Sequence, residues 1–119
     1  MKSLHIIFSL IFCFLYLPVQ AIEIGGSEIM DACSSIAIVS AKEGTYVYSQ
    51  PSSNSETMEH LTFNKQVILC DRHGDWVGVV YHDNIYECEV FTPIANRQKY
   101  DGHCTSGWIE AKNIEIIAG

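Results

Sequence analysis

From Cys33 onward the chain is a series of short runs rich in branched and aromatic residues, separated by turn formers, and apolar residues nowhere hold helical spacing for more than about two turns. SIAIVSA (35–41) is the first run, and Lys42, Glu43 and Gly44 turn the chain. TYVYS (45–49) follows with Tyr46 and Tyr48 on one face and Val47 on the other, the period of two of a half-buried strand. Beyond a Pro- and Ser-rich loop (50–55), TMEHLTF (57–63) offers Met58 and Leu61 to a core. QVILCD (66–71) and WVGVVY (76–81) flank Arg72, His73, Gly74 and Asp75 and read as a hairpin. IYECEVF (85–91) extends it, 93–102 reads as loop, and Gly107, Trp108, Ile109 and residues 114–117 supply the last strands. Short strands with no amphipathic helix to cover an open sheet predict an all-β fold, a small barrel or sandwich.

The two ends differ from this pattern. Residues 22–32 (IEIGGSEIMDA) show no period and are expected to be a flexible leader or a short helical turn. Residues 1–21 carry Lys2, an apolar run shorter than the ~20 residues that span a bilayer, Pro18, and Val19 and Ala21 at the small-residue positions of a cleavage site. They read as a secretory signal peptide cut after Ala21, leaving no stable membrane span. Residues 33–119 are then a single domain, since the mature length supports one core and not two.

Charge and cysteines narrow the functional classes. The formal net charge is −7, with the acids spread along the chain, which argues against a nucleic-acid partner because phosphates demand a basic face. Apart from Cys13 in the apolar run, the cysteines are Cys33, Cys70, Cys88 and Cys104, and an even set in an exported chain reads as two disulfides. Spacing alone leaves three pairings open.

The order of the pieces resembles the bacterial SH3 domain family. The elements that carry the resemblance are Tyr46-Val47-Tyr48-Ser49-Gln50-Pro51-Ser52, Met58 to Leu61, Asn64-Lys65, Val67 to Leu69, Asp75-Trp76, Val77 to Val80, Gly107-Trp108-Ile109 and Ala111-Lys112-Asn113-Ile114. Two departures stand out: the loop glycine and arginine usual near 46–51 are missing, and an insertion at about 82–105 separates the valine-rich strand from Gly107 and Trp108. The resemblance implies a small SH3-like β-barrel of short antiparallel strands. It also favours the pairs Cys88–Cys104, which closes the insertion with a loop-entropy gain of ~3 kcal/mol, and Cys33–Cys70, which ties the leader to the barrel.

Little in the sequence asks for catalysis. His103 and Cys104 are neighbours on an extended chain and point to opposite faces, a poor geometry for a thiol and its base. Cys70 and His73, with Cys88, His103 and Cys104, make one weak zinc knuckle where structural sites use two, so neither metal nor any other cofactor is expected. There is no phosphate loop and no Gly-x-Ser-x-Gly, and no acid lies in a recognisable glycosidase frame. Aromatics are the better lead. Tyr46, Tyr48, Trp76 and Tyr81 are the candidate lining of a ligand groove, with Trp76 and Trp108 also suited to packing.

The expectation is a periplasmic or secreted, non-enzymatic binding module. Its partner, by resemblance, is a peptidoglycan peptide or an envelope protein. The alternative is an inhibitor or immunity-type protein that blocks a wall hydrolase or toxin through its acidic, cysteine-closed loop, with Glu87, Glu89, Tyr100 and Asp101 as the contact residues.

Overall fold

The computed structural model describes residues 19–119; of the signal peptide expected over 1–21, residues 1–18 lie outside the described residues. In chain order the strands are β1 (Glu23–Ile24), β2 (Ser27–Asp31), β3 (Ser35–Val39), β4 (Thr45–Tyr48), β5 (Thr57–Leu61), β6 (Gln66–His73), β7 (Trp76–Tyr81), β8 (Pro93–Ile94), β9 (Gln98–Lys99), β10 (Thr105–Glu110) and β11 (Ile114–Ala118). Two 3-10 turns, Ile85–Cys88 and Ala111–Asn113, interrupt them. Among the described residues no helix is long and apolar enough to cross a membrane.

The strands read from the sequence assemble into one antiparallel seven-stranded sheet in the order β11-β3-β6-β7-β10-β4-β5. Ala37 of β3, Val47 of β4, Leu61 of β5, Val67 of β6, Val79 of β7 and Ile109 of β10 meet in one buried cluster, so the sheet curls until strands from its opposite halves touch. Its outer strands β5 and β11 are not paired to each other, and the closed barrel expected from the sequence is not formed by hydrogen bonds. Gly107 follows from this curl: a Cβ there would lie 2.3 Å from Val47 Cγ1, so β10 reaches β4 only with glycine at that position.

Period two puts Trp76, Gly78 and Val80 on one face of β7 and Val77, Val79 and Tyr81 on the other, yet five of the six residues are buried and Trp76 partly so. A strand buried on both faces needs a layer on each side. The inner cluster covers the second face. The first face carries Ile68, Val80 and Trp108 and is covered by a second cluster made of Ile22, Ile24, Ala32, Cys33, Ile85, Cys88, Val90 and Cys104.

That second layer corrects two expectations. Residues 22–32 are neither helical nor a free leader, because Ile22 and Ile24 are 1% and 5% exposed and the segment runs antiparallel to the insertion. Glu23 pairs with Lys99 and Ile24 with Gln98, while Tyr100 N donates to Ile22 O, Ala32 N to Thr92 O and Cys33 N to Val90 O. Residues 85–91 do not extend the hairpin; Asn84 Oδ1 accepts Tyr86 N and starts the 3-10 turn, which aims Ile85 and Cys88 into the cluster. Strands of two residues are too short to show a period, so Glu23–Ile24 falls within the expected leader, and Pro93–Ile94 and Gln98–Lys99 within the expected loop. In β5, Leu61 is buried but Met58 is 44% exposed, so only one of the two expected contacts reaches the core.

Polar groups clamp the layer from its edge. A register shift between Leu69 and Asp71 is a bulge in β6 that turns both Cys70 and Asp71 toward the outer layer. Asp71 then accepts from Glu23 N at 3.1 Å and from Arg97 at 3.1 Å, and Arg97 reaches Glu23 at 3.2 Å.

Both bridges are present, Cys33–Cys70 from leader to sheet and Cys88–Cys104 across the insertion. Burying a side chain such as Ile22 stabilises by ~1.5–3 kcal/mol, whereas ordering each residue costs ~1–2 kcal/mol, so few apolar residues alone do not hold two long segments. The Cys33–Cys70 bridge closes 37 residues, for which the loop-entropy relation gives about 4 kcal/mol. Replacing both Cys33 and Cys70 with serine is therefore expected to lower unfolding stability in guanidinium by about 3–4 kcal/mol. A loss below about 1 kcal/mol would mean that the leader is held without its staple.

Candidate functional site

The four rings expected to line one groove occupy three places. Tyr48 and Trp76 meet edge to face, with ring centres 5.3 Å apart and planes at 89°. Tyr46 is 51% exposed and stands edge-on to His60, its partner across β4 and β5, at 4.8 Å. Tyr81 is 4% exposed and packed in the inner cluster. Alternation explains the split: Tyr81 lies on the opposite face of β7 from Trp76.

Around Trp76 the surface is concave. Ser53 from the loop after β4, Asp75 from the β6–β7 turn, Trp76 at the start of β7, Glu110 at the end of β10, and Ala111 and Lys112 of the following 3-10 turn line a cleft of about 580 Å³. The register places Glu110 opposite Trp76, so two carboxylates flank the indole. Lys112 lies 3.4 Å from Glu110 and offsets part of that charge, while Asp75 makes no ion pair among the described residues. Sequence reasoning named Trp76 and missed its acidic neighbours, because only the β7–β10 register brings Glu110 to it.

An extended piece of main chain already lies near these rings. Gln20 N donates to Ser49 O at 3.0 Å, and its carbonyl accepts from the Trp108 indole N–H at 3.0 Å. Trp108 is 1% exposed and is the Cα partner of Tyr48 across β10 and β4. The packing role expected for Trp108 is present, and its polar edge also receives a peptide carbonyl.

On the insertion, Glu87, Glu89 and Asp101 are exposed, with Glu89 in a left-handed conformation at φ 59°. Tyr100 instead turns inward: its hydroxyl donates to Cys88 O at 3.3 Å and accepts Cys104 N at 3.2 Å, bracing the bridge. Tyr86 is the ring this loop displays, at 71% exposure, and the sequence reading did not select it. Among the described residues the four cysteines, Cys33, Cys70, Cys88 and Cys104, are bonded in pairs, so none of these offers a thiolate to a substrate or a metal.

The remaining polar contact of note joins two strands that are not neighbours in the curled sheet. Tyr81 Oη donates to Glu59 Oε2 across β7 and β5. Burial, then the hydrogen bond to Glu59, then the charge of Glu59 push the Tyr81 phenol well above its ordinary value.

Fold and site together define an antiparallel all-β domain with two disulfides and an acidic cleft floored by tryptophan. Comparison with protein-family models, with curated proteins and with solved structures returns no match.

Because the folded domain holds the Tyr81 proton more tightly than the unfolded chain, that contribution is intact below about pH 10 and is lost as pH rises through the raised folded value. Unfolding free energy is expected to fall as pH rises above about 10, and Tyr81→Phe is expected to flatten that fall. An equally steep loss in Tyr81→Phe, followed by denaturant melts in short alkaline incubations, would assign the effect to other groups.

Proposed function

We propose that this chain is an exported, non-enzymatic SH3-like module that binds an extended peptide, from the cell wall or from an envelope protein, along the Trp76 cleft. The observation that carries the reading is that cleft: an indole braced edge-on by Tyr48, with Asp75 and Glu110 at its rim. A flat, braced ring offers contact area at little entropy cost, and the carboxylates select a peptide that carries a cationic side chain. The strand order and the 3-10 turn ahead of β11 support the SH3-like assignment. Two disulfides suit an oxidising compartment, and export to the periplasm or beyond rests on the signal-like residues 1–21.

The seat of Gln20 adds to this reading. Signal cleavage after Ala21 removes that residue, and Ser49 O and the Trp108 N–H are then available to the backbone of a partner peptide beside Tyr48. The same two groups that hold the chain's own backbone match those an extended ligand offers.

The inhibitor reading retains one specific observation, the exposed Tyr86 beside Glu87 and Glu89 on a disulfide-closed turn. Deleting the loop does not test it, because Val90 and Ile94 belong to the outer core; charge reversal at Glu87 and Glu89 does.

Chain 22–119 is expected to cosediment with purified peptidoglycan, and Trp76→Ala is expected to weaken retention about tenfold or more, as loss of a central aromatic anchor does. Retention no greater than that of a reduced, unfolded control, or equal in Trp76→Ala, would reject the wall-peptide reading.

A further inference from the structure

Separate from the Trp76 cleft, the insertion brings together three side chains whose donor atoms face one another. One donor atom each from His82, Glu87 and His103 lies within 4.8 Å of the other two. The convergence has a structural cause. Glu87 and His103 each immediately precede a cysteine of the Cys88–Cys104 bridge, whose Cα atoms are 5.4 Å apart. His82 follows Tyr81, which is paired with Thr105 at the end of the β7–β10 ladder. A disulfide and the last rung of a sheet therefore fix the three backbones. The imidazoles of His82 and His103 sit edge to face, 5.4 Å between centres.

We propose that His82, Glu87 and His103 form a surface site for a divalent transition-metal ion of the zinc type. Two imidazole nitrogens and one carboxylate oxygen are the donor set that zinc takes with three protein ligands, leaving a fourth position to water. At metal–ligand distances of ~2.0–2.1 Å, adjacent tetrahedral ligand atoms stand about 3.3 Å apart. His82 Nδ1 and Glu87 Oε2 are already 3.1 Å apart. The widest separation must close by about 1.5 Å, within reach of an exposed side chain such as His103.

The hydrogen bonding around His82 leaves room for a cation. Asn84 N donates to His82 Nδ1 at 3.2 Å, while the Glu87 carboxylate approaches the same nitrogen at 3.1 Å. One ring nitrogen cannot serve both. With a lone pair it holds Asn84 and meets the carboxylate lone pair to lone pair; with a proton it holds Glu87 and gives up Asn84. A metal ion takes the ring nitrogen and the carboxylate together, and Asn84, which is exposed, turns its N–H to water. The net charge of −7 adds a long-range attraction for a cation. The ligands considered from the sequence were centred on cysteines, which the two bridges consume; Glu87 joins the histidines only through the fold.

The test is calorimetric titration of zinc chloride into the untagged, oxidised chain 22–119 at pH 7.5 in a non-coordinating buffer. One ion per chain with a Kd on the order of 1–10 μM is expected for a three-ligand surface site. His82→Asn and His103→Asn are each expected to weaken binding about tenfold or more, and Glu87→Gln to weaken it less, while His73→Asn leaves it unchanged. Circular dichroism and a thiol assay on each variant confirm an intact, bridged fold. Imidazole nitrogen shifts in the intact chain report the ligands independently of any variant that fails to fold. No binding tighter than about 1 mM, or binding unaltered in the His82→Asn/His103→Asn double variant, would overturn the proposal.

Discussion

The structure depends on a sheet that must be covered twice. β6, β7 and β10 carry apolar residues on both faces: Val67, Val77, Val79 and Ile109 inward, Ile68, Val80 and Trp108 outward. A lone curled sheet hides only the first set. Residues 22–33 and 85–104, which run antiparallel over the second set, are therefore part of the domain, and both disulfides bind this outer layer to the sheet or to itself. Asp71, turned outward by the bulge, ties the layer down from its edge through Glu23 N and Arg97.

The same arrangement sorts the aromatics. The inner face takes Tyr81 into a packed and hydrogen-bonded role with Glu59, and the outer face takes Tyr48, Trp76 and Trp108 to the margin of the second core. At that margin the cover stops short of Trp76, which stays partly exposed between Asp75 and Glu110. The surface proposed to bind peptide comes from incomplete burial of a face that is otherwise sealed. The bridge that closes the insertion also sets Glu87 and His103 side by side, so one covalent constraint serves both the core and a cluster of polar side chains.

Much of the sheet was legible because its strands obey period two or read as continuous branched runs: TYVYS, QVILCD and WVGVVY fall at β4, β6 and β7. The outer layer was hidden, since strands as short as Glu23–Ile24 and Gln98–Lys99 carry no period and gain their place only by pairing with each other. One trace of it does stand in the sequence. Gly78 interrupts the valine strand, and a Cβ there would lie 2.8 Å from Ile22 Cδ1 and 2.8 Å from Asp71 Cβ, so the glycine marks where the leader packs. Of the site, Trp76 and Tyr48 were readable as aromatics, whereas Glu110 and His82 acquire their neighbours from the β7–β10 register, which residue types do not disclose.

The central claim, that leader and insertion are a cooperative part of the fold, is tested most directly by native-state hydrogen exchange on the oxidised protein. The amides of Ala32, Cys33 and Tyr100, which donate to Thr92, Val90 and Ile22, are expected to be protected to within about tenfold of Val79 and Ile109 in the sheet. Exchange of those three amides near the rate of an unfolded chain, with Val79 and Ile109 still protected, would contradict it.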